Sequence, residues 1–202
     1  MESKVYFYHA FGVALLARLA VAISILLSGC ATFEIYEPQA GMKTERAGSS
    51  CGQPMISTVQ QLGDGVSLYT AATTLGNKTR VSLSLEIPVG TQAALASSEL
   101  SINVSNAGAG AFVLSDFVSG APGFNVPMQR FPIGAPLTGT NRMAKLSPPY
   151  GPTERFYSSA TVDGSASPEL TVSPPAVRVG SITVQPKFSR FVLTRASVGC
   201  VQ

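Results

Sequence analysis

Between Thr79 and Pro88 the chain reads TRVSLSLEIP, in which Val81, Leu83, Leu85 and Ile87 alternate with Ser82, Ser84 and Glu86. A period of two sends every apolar side chain to one side of an extended strand and every polar one to the other. A helix would scatter that apolar set around its circumference. ELSINV repeats the pattern with Leu100, Ile102 and Val104. FYSSATVDG places Phe156, Ser158, Ala160 and Val162 on one side before an Asp163-Gly164 turn signal. SITVQPKFSRFVLTRASV supplies one or two more strands with an interruption at Pro186. VSLYTAATT, AFVLSDFV and ELTVSPPAVRV are weaker strand candidates. The short, alanine-containing stretch from Thr91 to Glu99 reads as a connecting turn of helix.

About seven to nine such strands, separated by turn signals at near-regular spacing, predict an all-β fold, an antiparallel β-sandwich. An immunoglobulin-like topology is the first expectation, with a jelly roll or barrel as the alternative. The chain has no tryptophan, so the Cys…Trp…Cys spacing of true immunoglobulin domains is missing and the label is architectural only.

The N-terminus obeys different rules. Lys4 and Arg18 precede an apolar run from Leu19 to Leu27 that is broken only by Ser24. The run falls well short of the roughly 20 residues a spanning helix needs. A charged start, a short apolar centre and small closing residues describe an export signal over residues 1–29. It ends in Leu27-Ser28-Gly29-Cys30, which resembles the lipobox of bacterial lipoprotein precursors at all four positions. That resemblance implies diacylglyceryl transfer to the Cys30 thiol, cleavage before it, and acylation of the new amino terminus. Two or more chains give stable membrane attachment where one is marginal. Ala31 and Thr32 follow in place of the aspartate that retains such proteins at the inner membrane. The resemblance therefore implies a lipid-anchored envelope protein, at the outer membrane facing the periplasm.

With Cys30 assigned to lipid, Cys51 and Cys200 remain as an even pair in an oxidising compartment, where a disulfide is expected. It would close a loop of about 150 residues, for which chain entropy gives roughly 5 kcal/mol. Residues 30–50 lack periodicity and mix both charges, so they read as a lipidated cysteine and flexible tether, with Phe33, Ile35 and Tyr36 as an apolar cluster near the anchor. Residues 51–202 then form a single sandwich domain.

The stretch from Ser119 to Thr153 breaks the strand rhythm. It holds seven of the fourteen prolines and five glycines, and no acidic residue separates Asp116 from Glu154. An irregular crossover packed on the sandwich edge is the plain expectation. The sharper one is a ligand or partner surface, with Arg130, Arg142, Lys145 and Tyr150 as contacts.

The single histidine, His9, lies in the signal. Without it a mature Ser-His-Asp or Cys-His site has no base. No SxxK, GxSxG, GxGxxG or P-loop occurs. Asp116, Glu154, Asp163 and Glu169 sit amid turns and read as solvated, not as a glycosidase pair. Cys and His are spent or missing for zinc or copper, and no calcium loop is present. Neither a metal nor a cofactor is expected. The signal takes Lys4, Arg18 and Glu2, leaving 12 basic and 10 acidic residues, a net +2 too dispersed for nucleic acid. The functional expectation is a non-catalytic cell-envelope lipoprotein, a structural or protein-interaction module with an envelope protein as partner. The alternative is a binding module for a lipid, glycan or peptidoglycan fragment.

Overall fold

The computed structural model describes residues 30–47, 53–105, 108–121, 126–143, 152–164 and 166–199. The chain divides into two compact units, one of Met1–Phe33, Gly48–Gln53 and Arg195–Gln202, the other of Glu34–Ala47 and Pro54–Thr194. In the first, the described residues are Gln53 and the outer ends of two strands, β1 (Cys30–Pro38) and β16 (Ser189–Gly199). The second unit carries the fold.

Its strands follow in order: β2 (Thr44–Ala47), β3 (Met55–Gly63), β4 (Val66–Leu75), β5 (Lys78–Pro88), β6 (Gln92–Leu95), β7 (Glu99–Val104), β8 (Gly108–Val113) and β9 (Phe117–Ala121). Then come β10 (Val126–Phe131), β11 (Leu137–Thr138), β12 (Thr153–Asp163), β13 (Glu169–Ser173), β14 (Val177–Val179) and β15 (Ile182–Val184). The one helical turn among the described residues is 3-10, Asn141–Met143. The hairpins at the centre are specified by their turns. Asp64 and Gly65, both at positive φ, join β3 to β4, and Gly76 at φ +60° opens the turn from β4 to β5. Positive φ at these central positions is what the right-handed twist of a tight hairpin demands.

Among the described residues two antiparallel sheets result. The larger has twelve strands ordered β10-β9-β12-β5-β4-β1-β16-β13-β7-β8, with β3 also pairing β4 and carrying β2. The branch arises because β3 lies along β4 as far as Ala71, after which β1 takes its place through Ile35 opposite Thr73. The smaller sheet runs β11-β6-β14-β15. The large sheet folds over. Ser115, two residues past β8, donates its N–H to Ser159 O of β12 at 2.9 Å, although seven strand spacings separate β8 from β12 in the sheet order. Laid flat, those spacings would hold them about 34 Å apart. One core fills the space, drawn from Leu83, Leu85 and Ile87 of β5, Leu100 and Ile102 of β7, Phe156 of β12, and Leu137 and Val177 of the small sheet.

The antiparallel all-β sandwich predicted by the alternation is present, and it is not closed into a barrel. Its described strands divide twelve to four, against the seven to nine of an immunoglobulin domain. Strands β1 and β16, far apart in the sequence, lie side by side in the middle of the large sheet.

Three segments depart from expectation. Residues 31–50, read as a tether, carry β1 and β2. Ile35 and Tyr36 are each 1% exposed. Consecutive strand residues point to opposite faces, so β1 is covered on both sides and no alternation marks it. The stretch Thr91–Glu99 gives β6 instead of a helical turn, because Ala93, Ala94 and Leu95 pack into the core as a strand paired with β14. The proline-rich stretch 119–153 is strand-bearing: β9 ends in it, and β10, β11 and the 3-10 turn lie within it.

Candidate functional site

Strands β3, β4, β5, β12, β9 and β10 are consecutive neighbours, and their register stacks the outward side chains in rows. Val59, Tyr69, Ser84, Tyr157, Val118 and Arg130 form one row. Ser57, Ala71, Ser82 and Ser159 form the next. Small side chains in the middle and large ones around them leave a groove of about 440 Å³ on the sheet face.

One wall is held rigidly. The Arg155 guanidinium lies 4.2 Å from the centroid of the Tyr69 ring. It donates to Glu86 through Nε at 3.2 Å and through Nη2, and reaches Glu45 at 3.5 Å, while Thr153 Oγ1 donates to the other Glu86 oxygen at 3.2 Å. Burial pushes the Glu86 carboxyl up, but the hydrogen bonds and charge of Arg155 outweigh it and hold the group below the usual carboxylate range. Burial, reinforced by the Glu86 charge, pushes the Tyr69 phenol up to about 12, so it stays neutral. Stacking and ion pairing together fix a planar donor array at the groove wall.

Glu154, one residue earlier on β12, faces the opposite way and is 1% exposed. This corrects the reading of Glu154 as solvated. Its carboxylate accepts from Ser119 Oγ at 2.6 Å, from Thr140 N at 3.1 Å, from Thr140 Oγ1 and from Arg142 Nη2. Burial raises this carboxyl, and the bonds from Arg142, Ser119 and Thr140 overcome that and hold it low. Gly139 makes the clamp possible. A Cβ there would strike the backbone of Ile87 and Pro88, and the residue accepts from Gly90 N and donates to Thr91 O, both at 3.0 Å. The close backbone approach sets Thr140 over the carboxylate.

The structure thus separates two arginines that the sequence groups together. Arg130 lines the groove, while Arg142 clamps Glu154 and bonds Ser119, which is 0% exposed. Lys145, Tyr150, Cys51 and Cys200 lie outside the described residues, as do residues 27–29 of the signal. Cys30 is the first residue of β1. Tyr69, Tyr157, Arg80 and Arg155 line the groove without having been singled out from sequence. Their only signal was their place at wet positions of alternating strands.

A second hollow of about 690 Å³ lies between the turn at Gly41–Lys43 and the loop at Gln185–Phe188. Its walls are joined by Gln60, whose side chain both donates to Lys187 O at 2.8 Å and accepts from Lys187 N at 2.7 Å. Among the described residues no group of three or more His, Cys, Asp or Glu is placed to hold a metal ion. The chain matches no protein-family model, no curated protein and no solved structure.

Proposed function

We propose that the chain is a non-catalytic, lipid-anchored protein of the cell envelope, and that its sandwich is an interaction module that docks its partner on the outer face of the large sheet. The groove carries this reading. It is open to solvent, its Arg155 wall is fixed by Glu86, and Tyr157 stands 41% exposed within it. Beneath it the core is filled by side chains at or near zero exposure, so recognition falls to the surface. The lipobox supports acylation at Cys30 and residence at the outer membrane facing the periplasm. The same export supports a Cys51–Cys200 disulfide.

Labelled palmitate should enter the wild-type protein in cells and be absent from Cys30→Ser. Envelope material captured on the anchored protein should fall at least tenfold in the Tyr157→Ala/Arg130→Glu variant, with thermal melting unchanged. Label retained in Cys30→Ser contradicts the anchor, and equal capture by the groove variant contradicts the docking surface.

A further inference from the structure

We infer that the hollow between the turn at Gly41–Lys43 and the loop at Gln185–Phe188 takes an extended, acidic polypeptide segment. This docking site is separate from the sheet-face groove and does not depend on it. The ground for it begins where β2 stops. Strand β2 pairs β3 from Ala47 opposite Met55 to Thr44 opposite Thr58, and Val59 N–H donates once more to Lys43 O at 2.8 Å. Upstream of Lys43 the chain has turned away through Gly41 at φ +91°. Strand β3 itself continues to Gly63, and past Val59 no described strand pairs with that side of it. Backbone groups alternate sides along a strand. Val59 N–H points toward β2, so Gln61, two residues on, turns its N–H and C=O to the same side, where it lines the hollow. Gln61 is exposed. A donor and an acceptor presented this way are matched by another extended backbone.

The side chains decide which backbone. Lys43 and Lys187 are the charged residues of the lining, and no Asp or Glu joins them. Both are exposed, and neither ammonium has an ion-pair or hydrogen-bond partner among the described residues. Like charges around one hollow with no countercharge select an anionic occupant. Arg190, 5.9 Å from the centroid of the Phe188 ring, adds positive charge beside it. Met42, Val59, Pro186 and Phe188 supply an apolar part, with Phe188 53% exposed. A bare inorganic anion would leave that part and the Gln61 edge unmatched. A nucleic acid needs a track of cations along its phosphates, and these residues form none. An acidic peptide with apolar residues among its carboxylates matches edge, charge and apolar wall together.

The hollow is preformed. Gln60 ties both ends of its amide to the Lys187 backbone. Thr58 Oγ1 meets Ser189 Oγ at 2.7 Å, and both residues are buried. These bonds fix the 185–189 segment on β3, so little ordering remains to oppose binding. The volume of about 690 Å³ lies in the range of ligand pockets.

The test is calorimetric titration of the full-length protein in neutral detergent with three blocked hexapeptides: EVEFEV, its lysine counterpart KVKFKV, and EVEFEV methylated on its backbone nitrogens. EVEFEV is expected to bind at least about tenfold more tightly than either of the others, and to weaken as salt is raised. Lys43→Glu/Lys187→Glu should weaken it by at least about tenfold, and Phe188→Ser severalfold, with melting curves unchanged. The Tyr157→Ala/Arg130→Glu variant should bind EVEFEV as wild type does, since the hollow is not the groove. The inference is overturned if EVEFEV does not bind, if the lysine peptide binds as well, if the charge-reversed protein binds as tightly as wild type, or if methylation costs nothing.

Discussion

Glu154→Ala is expected to destabilise the fold by about 3–5 kcal/mol, because it leaves the Arg142 guanidinium without its countercharge in a largely buried site. Ser119 Oγ and both Thr140 donors lose their acceptor in the same step. In a chain of this length the melting temperature should fall by roughly 10 °C. The double variant Glu154→Leu/Arg142→Leu should recover the part of the loss that comes from the unpaired guanidinium, since a buried ion pair replaced by packed apolar groups is often close to neutral. The cost of the unpaired Ser119 and Thr140 donors stays. The pH dependence follows from the same bonds. The folded carboxyl titrates below its unfolded value of about 4.3, so the unfolded chain binds the extra proton. The stabilisation is complete above that value and is lost as pH falls from it through the folded pKa. Thermal melts of wild type and Glu154→Gln between neutral pH and pH 3 should converge. Parallel curves would remove Glu154 from the account of acid stability.

The second large effect concerns Tyr36. Its hydroxyl donates to Ser167 O and accepts from Ser167 N, both at 3.1 Å, and its ring is in the core. Tyr36→Phe keeps the ring but strands two buried backbone groups of Ser167, at a cost of about 1–3 kcal/mol. Tyr36→Ala adds a cavity, for a total of about 3–5 kcal/mol. Urea denaturation measures both. A Tyr36→Ala variant as stable as wild type would return residues 31–50 to the status of a tether.

These two residues mark where sequence reading stops. Strands β5, β7 and β12 are legible because one face is wet and the other dry, which writes the period of two into the text. Strand β1 is not, because Ile35 and Tyr36 are buried on opposite faces and the charged Glu34 and Glu37 flank them. Strand β6 is alanine-rich, and alanine alone does not separate a short helix from a buried strand. Arg142 is legible as a charge, but its partner is set by the turn at Gly139, which only the close approach to Pro88 explains. The groove is the subtler case. Each of Tyr69, Ser84 and Tyr157 is visible as an outward residue. That they form one row depends on register, and register across six strands is a property of the assembled sheet.

Register also makes the central claim directly measurable. With a benzophenone amino acid in place of Tyr157 in the anchored protein, irradiated in intact cells, the groove should yield a covalent adduct with an envelope component. The same probe at Ile182, 64% exposed on the small sheet, should yield none. An adduct at Ile182 and none at Tyr157 would contradict the outer face of the large sheet as the docking surface.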